Sequence, residues 1–129
     1  MHRNFLILAA FFGASGVALG AFGAHGLQQL TADEKILHGY QTAVQYQMYH
    51  ALALLAVGML YEKGNKKWIR VSGNLLIAGT ILFSGSLYLL TILKLNGSDA
   101  IRFVGPVTPL GGVCFITGWI CLMIGVMRK

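Results

Sequence analysis

Polar residues at helical spacing stand inside a long apolar run. Gln41, Gln45, Tyr46, Tyr49 and His50 follow one another at intervals of one to four. Tyr46 and His50 are four apart and share a helix face. An imidazole can move a proton, hold a metal or simply accept a hydrogen bond. In a second apolar run, Ser84-Gly85-Ser86 places two hydroxyls near mid-run. If the apolar layer begins near Thr42, His50 lies ~12 Å inside it. Ionisable groups at such depth are costly and mark functional candidates. Tyr46, His50, Ser84 and Ser86 therefore form the candidate polar or ligand site. The plainer alternative is a neutral histidine bonded to a neighbouring helix, for instance to Ser84 or Ser86.

Other reactive residue types are sparse. Gly23 and His25 sit in GAFGAHG, residues 20–26, and His38 follows in the next run. Together they form a candidate outer-face motif. Two histidines and a carboxylate could hold a metal, but this spacing carries no metal signature, so no metal or cofactor is expected. Haem ligation by His25 and His50 is disfavoured, because axial ligands must lie at one depth. The glycine string follows no strand and lacks the Lys-Ser/Thr ending of a phosphate loop. Cys114 and Cys121, seven residues apart, are separated by ~10 Å along a helix, too far for a disulfide. They read as packing residues. No apolar run contains Asp or Glu, no nucleophilic triad lies at one depth, and no enzyme is expected.

The elements that hold these residues follow from where charge is missing. Asn4–Ala24, Gly39–Tyr61, Val71–Leu93 and Phe103–Met127 contain no Asp, Glu, Lys or Arg. Each can cross a hydrocarbon layer ~30 Å thick as a helix, which satisfies its own backbone there. Only 11% of the 129 residues are charged, against about 25% in soluble domains. The fold class expected is all-α: a four-helix transmembrane bundle. Residues 1–129 form a single integral membrane domain with spans at about 4–24, 42–61, 71–93 and 109–127. Seven Lys and Arg (Arg3, Lys63, Lys66, Lys67, Arg70, Arg128, Lys129) fall on one side and three (Lys35, Lys94, Arg102) on the other. The positive-inside rule then makes both termini cytoplasmic, in a multi-pass protein of the bacterial plasma membrane. The start resembles a signal peptide, with Ala18-Leu19-Gly20 as a cleavage site. Its length favours a retained span. The net charge of +6 sets topology, and no nucleic acid partner is expected. The expected partners are membrane lipid and a homo-oligomer or membrane protein partner.

Local signals refine the elements. Thr31-Ala32-Asp33-Glu34 reads as a capping box, with Thr31 as N-cap. Helix two would then start near Thr31 and, if continuous to Tyr61, reach ~45 Å, so that it must protrude, tilt or bend near Gly39. Thr108-Pro109 reads as N-cap and first residue of helix four. Trp68 suits an interfacial anchor, and the indole N–H of Trp119, in mid-span, must find a partner. Gly16, Gly20 and Ala24 make a small-residue stripe. Gly111, Cys114, Gly118, Cys121 and Gly125, spaced 3-4-3-4, make a second, suited to close helix packing.

GAFGAHGL (20–27), the run from Tyr40 through YHALALL (49–55), LFSGSLYLL (82–90), TPLGG (108–112) and GW (118–119) carry a resemblance that covers essentially the whole chain. The sequence resembles an uncharacterised small-membrane-protein family of bacteria, similar to eukaryotic transmembrane protein 256. The resemblance implies a four-helix integral membrane protein and supplies no catalytic residues. The leading expectation is non-enzymatic binding of a lipid or other hydrophobic ligand, or membrane-complex assembly. The alternative is a small transporter or channel centred on Tyr46, His50, Ser84 and Ser86.

Overall fold

The computed structural model describes residues 1–128. It contains four long helices and, among the described residues, no strand. They are α1 (Arg3–Leu30), α2 (Glu34–Leu60), α3 (Lys66–Leu95) and α4 (Ile101–Met127). α1 packs along α2, α3 along α4, and α2 joins the two hairpins by lying against α3. α1 and α3 each contain one wider π-helical turn, at Gly23–Leu27 and Thr80–Ser84.

Helix ends depart from the expected positions. α1 continues past Ala24 to Leu30, because no charge or proline intervenes. Thr31 closes α1 rather than opening α2: its N–H donates to the Leu27 carbonyl (3.2 Å) and its backbone is extended. The N-cap of α2 is Asp33, whose carboxylate accepts from the Lys35 N–H at 2.9 Å. A carboxylate is the stronger acceptor and suits the positive end of the helix dipole. α2 runs unbroken through Gly39 for ~40 Å. The main run of α4 begins at Val107, with Pro106 as N-cap. Thr108 is therefore no cap, and Pro109 is tolerated because the first turn needs no N–H.

Both small-residue stripes are contact seams, each with one correction. On α1, Gly16 faces Met48, Gly20 faces Val44, and Gly23 faces the Tyr40 ring. The π turn at Gly23–Leu27 leaves Ala24 exposed. On α4, Gly111, Gly118, Cys121 and Gly125 are buried, whereas Cys114 is only half-buried and Phe115 takes its place. A Cβ on Gly118 would stand 2.9 Å from Leu76 Cδ2, and one on Gly125 2.7 Å from Ile69 Cγ1. α3 and α4 approach this closely only because those positions lack side chains.

Polarity is inverted relative to a protein in water. Phe11, Leu52 and Ile116 are each more than 60% exposed, while Gln47, Ser72 and Ser84 are 4%, 0% and 1% exposed. Such a surface fits a hydrocarbon solvent. α1, α3 and α4 are long and apolar enough to cross a membrane. α2 falls short of that apolarity, as the polar residues inside its charge-free run foreshadow. Its glutamines, tyrosines and His50 lower its hydropathy. At the basic end, Lys66 Nζ lies 2.9 Å from Glu62, and this hydrogen bond and its charge hold the exposed carboxyl below the usual range.

Candidate functional site

His50 is buried against α4, with Phe115 stacked on its ring at 3.6 Å. Nδ1 lies 2.7 Å from the Tyr46 carbonyl oxygen, which can only accept, so Nδ1 carries the proton. Nε2 then accepts from the indole Nε1–H of Trp119 at 3.0 Å. Both nitrogens of a neutral imidazole are satisfied. Trp119 has the partner its N–H required.

The expected four-residue site is only half assembled. Tyr46 and His50 adjoin, through the Tyr46 backbone carbonyl and loosely parallel rings 6.1 Å apart. The serines do not join them. Ser84 Oγ donates to the Ala43 carbonyl at 2.7 Å. Ser86 Oγ donates to the Phe83 carbonyl at 2.9 Å and meets the Thr108 hydroxyl at 2.5 Å. Residues two apart on a helix point to different sides, so a Ser-Gly-Ser pair cannot serve one partner. In the outer-face motif, Gly23 contacts Tyr40, whereas His25 and His38 are exposed. Among the described residues, no group of three His, Cys, Asp or Glu side chains is placed to hold a metal.

A different polar centre ties α1, α2 and α3 together. Gln47, almost wholly buried, donates from Nε2 to the Phe12 carbonyl and to Ser15 Oγ, both at 2.9 Å. Its Oε1 accepts from the Tyr88 hydroxyl at 2.7 Å. The Tyr40 hydroxyl donates to the Leu19 carbonyl, and the Tyr40 and Tyr88 rings meet edge-on at 5.4 Å. Gln47 was missed among the helix-two glutamines. The signal was register: Tyr40, Ala43, Gln47, His50, Leu54 and Val57 are buried at three- and four-residue steps. Gln41 and Gln45 fall off that line.

Around this centre a groove opens between α1 and α3. At the basic end Phe5 packs against Gly73 and brings the two helices together. Toward the other end the space between them widens. One part, of about 290 Å³, has Phe11, Ser15, Gln47, Ser84 and Tyr88 in its lining. A second, of about 310 Å³, is bounded by apolar side chains including Phe22, Leu27, Ile92 and Leu95. Leu19 and Tyr88 line both. Each part is near the lower size of small-molecule sites. Both π turns contribute to the walls, through Thr80, Ile81 and Ser84 on α3 and Leu27 on α1.

Comparison with known proteins gives a consistent result. Residues 19–112 match the family model described as "Protein of unknown function (DUF423)". The UPF0382 membrane protein YwdK of Bacillus subtilis is 42% identical over 127 residues, covering 98% of each chain. A UPF0382 membrane protein of Schizosaccharomyces pombe is 41% identical, covering 91% of this chain and 96% of its own. The UPF0382 inner membrane protein YgdD of Escherichia coli is 40% identical, over 98% of this chain and 91% of its own. No solved structure matches. With relatives in bacteria and a yeast matched along nearly their whole length, the chain belongs to the DUF423/UPF0382 family of membrane proteins.

Proposed function

We propose that this protein is a non-enzymatic integral membrane protein that holds an apolar chain of a membrane lipid in the groove between α1 and α3. The observation that carries this reading is the groove itself. Its outer part is almost entirely apolar, lies between two helices able to span the membrane, and is floored by Tyr40 of α2. An acyl chain entering sideways from the bilayer needs no hydrogen bond and meets none unsatisfied, since the Gln47 centre is internally complete. The seven-to-three split of basic residues favours cytoplasmic termini. The printed name of the Escherichia coli relative, an inner membrane protein, supports a place in the plasma membrane. α2 then serves as the fourth span, with Gln47 and His50 shielded by its neighbours. A transport path through Tyr46, His50, Ser84 and Ser86 has less support, because both serines are bonded elsewhere.

The test is photo-crosslinking of the full chain in vesicles containing a phospholipid with a diazirine in its acyl chain. Labelled peptides should map to residues 19–30 and 80–95. Leu19→Trp, which fills the junction of the two parts, should remove most of that labelling, and Val113→Trp on the outside of α4 should not. Labelling spread evenly over all exposed apolar residues would exclude the groove.

A further inference from the structure

The face of α2 opposite the groove carries a second message. Gln41, Gln45, Tyr49, Leu52, Ala56 and Met59 follow at steps of 4-4-3-4-3 and are all exposed. They form one continuous stripe, turned away from the buried line through Tyr40, Gln47 and Leu54. Its inner half is apolar and its outer half is not. The level of that outer half is fixed by α1: Val44 fills the space at Gly20 and Met48 the space at Gly16. Gln45 and Tyr49 each stand one residue further along, so they lie at the depth of a stretch of α1 without charge. Elsewhere on α2, Thr42 bonds the His38 carbonyl, Gln47 bonds Phe12, Ser15 and Tyr88, and His50 bonds the Tyr46 carbonyl and Trp119. The Tyr46 hydroxyl is unpaired among the described residues, beside Phe83 and Phe115 and off the stripe. On the stripe, among the described residues, the amides of Gln41 and Gln45 and the Tyr49 hydroxyl have no partner.

In hydrocarbon an amide without a hydrogen bond costs several kcal/mol, a cost that falls on Gln45, whereas Gln41 stands at the edge of the apolar layer. We infer that this stripe is covered by a second copy of the same chain, α2 against α2 in a two-fold dimer. The stripe suits itself as a partner. Two copies inserted with the same orientation are related by an axis along the membrane normal, so their α2 helices run parallel. Residues near that axis meet their own counterparts. A carboxamide both donates and accepts, so Gln41 with Gln41 and Gln45 with Gln45 satisfy each other, as a buried asparagine does in a parallel coiled coil. Leu52, Ala56 and Met59 continue the seam at three- and four-residue steps, with a small residue allowing close approach. The same pairing accounts for part of the shortfall in the apolarity of α2, the part due to Gln45 and Tyr49; Gln47 and His50 are covered within the bundle. This inference uses the side of α2 away from the groove and does not depend on lipid being held there.

The experiment is oxidative cross-linking of the full chain in native membranes and reconstituted vesicles, in a Cys114→Ala, Cys121→Ala background. Gln45→Cys and Leu52→Cys should each give a disulfide-linked pair of identical chains. Ile116→Cys, equally exposed but on α4, should not. Energy transfer between labelled copies in vesicles should show the Gln41→Leu, Gln45→Leu double variant associating about tenfold more weakly, the loss expected for interhelical hydrogen bonds in lipid. Undiminished association of that variant would overturn the inference. So would cross-linking at Ile116 equal to that at Gln45, or Gln45→Cys joining only a chain of different mass.

Discussion

A single indole fixes the chemical state of His50. Trp119 donates to Nε2 and the Tyr46 carbonyl takes the proton side of Nδ1, so the ring has one tautomer and no free nitrogen. Replacing His50 tests this directly. His50→Gln retains an acceptor for the indole, whereas His50→Leu leaves a half-buried donor without one, a loss of ~1–3 kcal/mol. Thermal unfolding in nanodiscs should therefore rank the natural protein above His50→Gln, and His50→Gln above His50→Leu. Equal stability of the two variants would remove the hydrogen bond from the account. Part of this was legible beforehand. A mid-span indole must find a partner, and a histidine at that depth was expected to be satisfied or functional. The identity of the pair was not, since residues 50 and 119 meet only through the crossing of two helices. The serines misled for a local reason. In a helix the nearest acceptor for a serine hydroxyl is a backbone carbonyl, as for Ser86, and Ser84 found one on the facing helix.

Helices three and four are joined by missing side chains. Adding a methyl group at Gly111 drives it into the backbone of Phe83, which cannot rotate away, whereas Gly112 has open space around it. Gly111→Ala should lower stability by ~1–3 kcal/mol, the usual cost of overpacking, and Gly112→Ala should be nearly silent. Unfolding of the two purified variants in the same detergent decides; similar midpoints would contradict the seam. The seam was legible as a 3-4 repeat of small residues. Cys114 was misassigned because Phe115 is large, and pattern reading for small residues passes over a ring that fills the gap between glycines. Caps were legible in kind and not in position. Both Thr31 and Asp33 can cap, and the choice fell to Asp33 because Thr31 is held by the last turn of α1.

At the scale of the whole molecule, one quantity orders the rest: the basic residues stand at one end of the bundle in excess. Lys63, in the link between α2 and α3, and Ser98, between α3 and α4, lie at opposite ends. Introduced as the only cysteine, Ser98→Cys should react with a membrane-impermeant maleimide added outside cells, and Lys63→Cys should react only after lysis. The opposite pattern would invert the orientation. These sites are preferable to their glycine neighbours, since Gly97 has a positive φ of 66° and a side chain on Gly64 would meet the Gly125 carbonyl. The bundle was legible from charge-free stretches because hydrocarbon leaves a chain few alternatives. The groove was not. It depends on where α1 and α3 separate, and on two π turns that no local residue pattern announces.

Those turns have a consequence for the gene. A π turn holds one residue more than the α turn it replaces, so the loss of a single codon converts one into the other. Removing one residue at Ile81 would let α3 close into a regular helix while residues 85–95 keep the faces they present now. Tyr88 would stay on Gln47 and Thr91 in the groove wall, and only the part of the wall built by Thr80, Ile81 and Ser84 would be reshaped. Among relatives aligned end to end, a gap of one residue within 80–84 or 23–27 would mark chains in which that wall is built differently.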